Sequence, residues 1–225
     1  MLEKQTWLKI QDLGKIPTDL PCLVYCKTRG NIWQAKSKIL SEKEMNKADS
    51  LLPGLRRDYI GSHILLLQVL AQFTKLQPEK LMIGNLMQGK PFLKNYPLKF
   101  NLSNSNDSIL IAVSDKEIGV DIEEIQRDLD FNGIMDFAFS QTEKLFCLNQ
   151  DLPGAFTQIW TLKEAYLKAI GIGLSEKLAE IELIGPTSVL SRDGLYCRTF
   201  ICPGNEIGSV VGSQDLDGIM FYELL

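Results

Sequence analysis

The chain has 225 residues, 45% of them hydrophobic and 23% charged, with a formal net charge of -4. That length buries a core as one large domain or two small ones, and the composition lacks the Pro, Gly or Ser excess of a disordered chain. The net charge excludes a broad attraction for nucleic acid, so any anion site has to be local.

At the N-terminus, Met1-Leu2-Glu3-Lys4 has none of the basic, then apolar, then small-residue order of a secretory signal. A cytoplasmic protein is expected. Residues Leu20 to Thr28 and Ile32 to Lys36 read as strands around the turn Arg29-Gly30-Asn31. The five cysteines, Cys22, Cys26, Cys147, Cys197 and Cys202, are scattered and odd in number, which predicts free thiols, not a disulfide framework. Cys22 and Cys26 have no His or second Cys pair nearby and read as buried thiols, not zinc ligands.

Ser41 with Glu44 has capping-box spacing and opens a polar helix, which Pro53-Gly54 is expected to end. A second helix follows from about Arg56 to Phe73. Ile60, Ile64, Leu67 and Leu70 recur at helical spacing, and Leu65 and Leu66 widen the stripe, so this helix belongs in a core. Its run Ile60 to Leu70 is broken by His63 and Gln68 and is too short to cross a bilayer, so no membrane contact is expected.

After an irregular stretch holding Gly89-Lys90-Pro91 come the segment Lys99 to Ser103, the strand Ile109 to Val113, a turn at Asp115-Lys116-Glu117, and the strand Ile118 to Ile122. Helices are expected over Phe131 to Leu148 and Ala155 to Ile170, the latter stopped by Gly171 and Gly173. Strands near Glu180 to Ile184, Tyr196 to Ile201 and Gly208 to Val211 complete a second sheet. Two halves, each an antiparallel sheet with packed helices, predict an α+β protein with a pseudo-twofold arrangement.

Two segments carry chemistry. In Ile118-Gly119-Val120-Asp121-Ile122-Glu123, strand alternation sends the three apolar side chains to one face and Gly119, Asp121 and Glu123 to the other. That polar face either meets water or turns two carboxylates toward one cation. In Trp160-Thr161-Leu162-Lys163-Glu164-Ala165-Tyr166-Leu167-Lys168, helical geometry puts Trp160, Lys163, Glu164, Leu167 and Lys168 on one broad face. Glu164 there either pairs with Lys168 on an exposed surface or, if buried, needs a metal or lysine partner.

Gly119-Val120-Asp121-Ile122-Glu123 resembles the GxDxE element of the 4′-phosphopantetheinyl transferase superfamily, and Trp160 to Lys168 resembles its WxxKEAxxK element. Gly89-Lys90-Pro91, Phe100-Asn101-Leu102-Ser103, Phe139-Ser140 with Glu143, and Gly171-Ile172-Gly173-Leu174-Ser175 are similar to flanking segments of the surfactin-type, internally duplicated members. The resemblance covers the chain from Arg56 onward and implies two α/β subdomains, residues 1–113 and 114–225, with coenzyme A between them.

It further implies an enzyme that moves the phosphopantetheine arm of coenzyme A to a serine of an apo acyl or peptidyl carrier protein. Asp121, Glu123 and Glu164 would hold Mg2+, with Glu164 a ligand first and the base second, and Lys168 beside the pyrophosphate. His63, Arg57, Lys90, Pro91, Ser103, Asn104 and Lys163 complete the implied coenzyme A contacts. Two positions depart from the family: Asn104 stands where it has His, and His63 stands where it often has Arg. His63 also reads as a core histidine satisfied by hydrogen bonds, and Arg56, Arg57 and Lys47 are candidates to compensate. The departures keep open a non-catalytic coenzyme A or carrier-binding relative. A Mg2+-dependent hydrolase of coenzyme A is a further alternative. The implied assembly is a monomer.

Overall fold

The computed structural model describes residues 2–16, 21–28, 38–126, 128–173, 178–183 and 194–225. In chain order the strands are β1 (Glu3–Lys4), β2 (Leu8–Ile10), β3 (Cys22–Lys27), β4 (Ile83–Asn85), β5 (Pro91–Leu93), β6 (Lys99–Ser105), β7 (Ser108–Ser114), β8 (Ile118–Glu123), β9 (Tyr196–Ile201), β10 (Ile207–Gly212) and β11 (Met220–Leu224). The helices are α1 (Glu42–Asp49), α2 (Pro53–Thr74), α3 (Phe131–Ala138), α4 (Gln141–Leu148) and α5 (Leu152–Ile170). The predicted turn at 29–31, the strand at 32–36 and residues Leu174 and Ser175 lie outside the described residues.

One sheet has the order β2-β11-β3-β7-β6 and the other β1-β9-β10-β8, with β4 and β5 forming a separate hairpin. Strand alternation explains how these sheets stack. On β3, Cys22, Val24 and Cys26 point to the α2 side, while Leu23 and Tyr25 point inward; on β7, Ile109, Ile111 and Val113 separate from Leu110 and Ala112 in the same way. The inward residues meet Ile118, Val120 and Ile122 of β8, with Phe200 and Val210, in a central apolar layer between the sheets. On the far side of the second sheet, α5 packs with α3 and α4 over Cys197 and Val211. The result is an α/β/β/α stack of α+β class, and β7 is buried along its whole length because both its faces are covered.

The terminal strands exchange sheets. β1 pairs with β9 in parallel, and β11 inserts between β2 and β3, parallel to both. Local sequence gave no sign of these pairings, because they join residues from opposite ends of the chain. All five cysteines are buried free thiols, as expected. Among the described residues no helix is long and apolar enough to cross a membrane.

Three local expectations are corrected. Pro53 opens α2 at its first turn instead of closing α1, because Pro there gives up only an N–H that would have no helical partner. The helix expected over 131–148 breaks at extended Phe139, and Ser140 restarts it with a capping box to Glu143. The strand expected near 180–184 is instead a 3-10 turn over Leu178–Glu180 followed by irregular residues to 183. Gly171 does end α5, in the left-handed conformation at φ 76°.

Candidate active site

The site begins where the edge strands of the two sheets, β6 and β8, run side by side. Asn101, Ser103 and Ser105 alternate along β6 and all face β8. Asn101 Oδ1 accepts from the Val120 amide at 2.8 Å, the Ser103 hydroxyl donates to Asp121 Oδ1 at 2.7 Å, and the Ser105 hydroxyl donates to Glu123 Oε2 at 2.8 Å. Side chains therefore perform the bridging that main-chain hydrogen bonds perform inside a sheet, and two of them orient the carboxylates of β8.

From the opposite side α5 crosses β8 at Gly119. A Cβ there would sit 2.2 Å from the Ala165 carbonyl oxygen and 2.3 Å from the Ala169 amide. Helix backbone thus fills the space beside the carboxylates at Gly119, and only glycine permits this approach. The crossing brings Lys168 to Asp121: its Nζ donates to Asp121 Oδ1 at 2.6 Å and to Ser103 Oγ at 3.0 Å.

Two oxygens of this site's carboxylates are buried without a hydrogen-bond partner, Asp121 Oδ2 and Glu164 Oε1. Burial pushes the carboxyls of Asp121, Glu123 and Glu164 above their ordinary range, and their mutual repulsion adds to the rise of Glu123 and Glu164. Among the described residues no three acidic, His or Cys side chains are gathered closely enough to form a ready-made metal cluster.

Lys168 also lines a cavity of about 830 Å³ with His63, Lys90 and Pro91. The described residues lining it include six lysines against two glutamates, so a chain of net negative charge carries one locally basic cleft. His63 stacks on Tyr59 with centroids 3.8 Å apart, and Lys47 lies over the same ring. Its Nδ1 lies 2.9 Å from the Tyr59 carbonyl, which can only accept, so Nδ1 carries the proton there. Burial holds the imidazole below its usual pKa. Lys90 donates to Glu117 Oε2 at 2.7 Å and to the Ala169 carbonyl at 2.6 Å, tying the hairpin side of the cavity to the end of α5.

Other predicted residues fall outside the cavity. Ser103 is buried behind it, bonded to Lys168. Arg57 is exposed, 3.4 Å from Asp58. Asn104 is exposed and shares a strand face with Leu102, which does line the cavity.

Lys163 requires a correction. Expected at the coenzyme A site, it lies in the core with no solvent exposure, paired to Glu143 at 2.7 Å and donating to the Leu178 and Ile181 carbonyls. The broad helix face holding both Lys163 and Lys168 could not tell them apart. Conversely, sequence reading gave no site role to Ser105 or Asn101, although the period-2 run of Asn101, Ser103 and Ser105 marks one polar strand face.

A family model described as the 4′-phosphopantetheinyl transferase superfamily matches residues 117–199, which include all of β8 and α5. The chain is 32% identical over 166 residues to the 4′-phosphopantetheinyl transferase psf-1 of Bacillus pumilus, covering 72% of this chain and 67% of that protein. It is 32% identical over 182 residues to the 4′-phosphopantetheinyl transferase HetI of a Nostoc species, covering 76% and 72%. Against the 4′-phosphopantetheinyl transferase gsp of Aneurinibacillus migulanus it is 26% identical over 163 residues, covering 71% and 65%. With the carboxylates of β8 and Lys168 of α5 meeting at the end of a basic cleft, and with matches of this extent, the chain belongs to the 4′-phosphopantetheinyl transferase superfamily.

Proposed function

We propose that this protein transfers the 4′-phosphopantetheine group of coenzyme A to a serine of an acyl or peptidyl carrier protein. The observation that carries the reading is the set Asp121, Glu164 and Lys168: a buried and a half-buried carboxylate, each with one buried, unpartnered oxygen, and a lysine that also lines the basic cavity.

The residues fit a hard divalent cation. Asp121 Oδ2 and Glu164 Oε1 are open acceptors, and Glu123 is held nearby by Ser105. Mg2+ is commonly bound by one or two carboxylates together with substrate phosphates, not by a closed protein cage. Asp121, Glu123 and Glu164 would hold it, and it would supply positive charge to the pyrophosphate.

In the reaction the serine Oγ attacks the β-phosphorus, the bond to the bridging oxygen breaks, and adenosine 3′,5′-bisphosphate leaves with the electron pair. Lys168 offsets charge on the phosphoryl oxygens, and Ser103 keeps it aimed along α5 toward β6. The proton of the attacking hydroxyl goes to a carboxylate; Glu164 is our assignment, second to its role as a ligand, because burial raises its proton affinity. The six cavity lysines support an anionic co-substrate, with His63, Lys90 and Pro91 lining its place. In this reading the two subdomains divide near residue 113 in a pseudo-twofold arrangement, with β1 and β11 exchanged across the division. The enzyme works as a cytoplasmic monomer.

The test is incubation with coenzyme A, Mg2+ and an apo carrier protein, followed by intact mass measurement. A carrier heavier by one phosphopantetheine group, with no gain for Asp121→Ala, is the expected result. An unchanged carrier with coenzyme A bound makes the protein a non-catalytic relative, and cleaved coenzyme A with an unchanged carrier makes it a hydrolase.

A further inference from the structure

We infer that Lys168 is a built-in counter-ion, which occupies Asp121 in the free protein and is drawn off by coenzyme A, so that a divalent metal and coenzyme A bind cooperatively. This rests on the metal-site reading above and adds an order to it.

Three observations lead there. The Asp121 side chain is 4% exposed, and a lone carboxylate so deep in the protein needs a cation. Lys168 provides that cation at 2.6 Å. Yet the pair leaves Asp121 Oδ2 without a hydrogen-bond partner, and Glu164 Oε1 on the same helix as Lys168 has none either, whereas a purely structural pair is normally closed by further donors. Lys163 shows the closed form in the same helix, with its ammonium shared among Glu143 and two carbonyls.

The third observation is position. The Lys168 side chain is 29% exposed and lines the basic cavity, so its flexible four-carbon stem reaches both the carboxylate and an anion held in the cleft. Lys90, the neighbouring buried lysine, has no such choice, because Glu117 and the Ala169 carbonyl hold it.

A metal approaching Asp121 therefore meets an ammonium already bound to Oδ1, and the two cations repel. A diphosphate in the cleft offers Lys168 another anion and frees Asp121. By linkage, coenzyme A then tightens metal binding by the same factor as the metal tightens coenzyme A binding.

The probe is Mn2+ alone, with free Mn2+ read by electron paramagnetic resonance, on the full chain with and without coenzyme A and without carrier. Saturating coenzyme A should tighten Mn2+ binding by about tenfold or more in the wild type. Lys168→Met should bind Mn2+ without coenzyme A about tenfold more tightly than the wild type, with a smaller gain when coenzyme A is added. Mn2+ should also raise the melting temperature of Lys168→Met more than that of the wild type. If Lys168→Met fails to fold, Lys168→Gln, which keeps a donor for Asp121 without the charge, takes its place. Equal or weaker Mn2+ binding by the charge-free variant overturns the counter-ion role while leaving the metal site in place. Wild-type Mn2+ binding by Asp121→Asn in the presence of coenzyme A overturns the metal-site reading itself, and the counter-ion role with it.

Discussion

Lys163 and Glu143 form an ion pair in which neither side chain has any solvent exposure, Nζ to Oε2 2.7 Å. The pair is fully hydrogen-bonded: Lys163 donates to the carbonyls of Leu178 and Ile181, while Glu143 accepts from the amides of Ser140 and Leu183. One residue before Glu164, α5 thus pins the 178–183 segment and the start of α4. Removing one partner of such a pair leaves an uncompensated buried charge and typically costs about 3 to 5 kcal/mol. Lys163→Met and Glu143→Gln should each cost that much in urea unfolding, and the double variant less than their sum. Coenzyme A affinity of folded Lys163→Met should match the wild type. A loss of affinity at unchanged stability would return Lys163 to the ligand site.

A second buried cluster ties the far ends of the two sheets. Glu206, 1% exposed, accepts from Lys27 at 2.7 Å and from the Ser108 hydroxyl, and Lys27 also reaches Asp107 at 3.0 Å. Burial works to raise the Glu206 carboxyl, but its bonds to Lys27 and Ser108 outweigh this and hold it below its ordinary value. Burial likewise opposes charge on Lys27, yet Glu206 and Asp107 together raise it. The sign follows from linkage. A depressed carboxyl contributes stability above its unfolded pKa, and that contribution disappears as pH falls through the folded value. Stability measured by urea unfolding should therefore decline below about pH 4, and Glu206→Gln should be less stable at neutral pH with a shallower acid slope. An unchanged acid slope in Glu206→Gln would show that other carboxyls govern it.

The legible parts of this protein are those fixed by short-range geometry. Ser41 with Glu44 sets the start of α1, the Ile60 to Leu70 stripe identifies α2 as a core helix, and alternation in β8 places Asp121 and Glu123 on one face. What sequence could not supply depended on contacts between distant segments. β11 shows no alternation in its Met-Phe-Tyr-Glu-Leu run, and its place between β2 and β3 follows from parallel pairings across the chain. Lys163 and Lys168 look alike on the helix. They part only because the 178–183 segment covers one and the cavity opens on the other.

Ser105 is the residue that holds Glu123, donating to Oε2 at 2.8 Å while accepting the Glu124 amide at 3.3 Å. Its loss frees a carboxylate whose proton affinity is already raised by burial. A hydrogen bond to a charged group is worth about 1.5 to 3 kcal/mol, so Ser105→Ala should lower turnover by roughly tenfold or more and raise the Mg2+ concentration needed for half-maximal rate. Asn104→Ala, at an exposed position outside the cavity lining, should leave coenzyme A affinity near the wild-type value. Calorimetry with coenzyme A decides this last point. A several-fold loss for Asn104→Ala would support the contact that the family resemblance implies.

Gly119 sets how closely α5 lies on β8, and hence how far Glu164 and Lys168 stand from Asp121. A methyl group at this position would overlap the Ala165 carbonyl oxygen and the Ala169 amide, both main-chain atoms that no rotamer change can move. Either α5 lifts or β8 bends. Overpacking of this kind costs about 1 to 3 kcal/mol, and a backbone clash belongs at or above the upper end. Catalysis should suffer more than stability, since displacing a reacting group by about 1 Å can cost roughly a hundredfold. Gly54→Ala is the matched control: it lies in the first turn of α2 with nothing within 4 Å of the new Cβ. Alanine in a helix is favoured over glycine by about 0.8 to 1.0 kcal/mol, so Gly54→Ala should be neutral or slightly stabilising and fully active. Gly119→Ala with wild-type turnover and an unchanged melting temperature would mean that α5 and β8 sit farther apart than these contacts require.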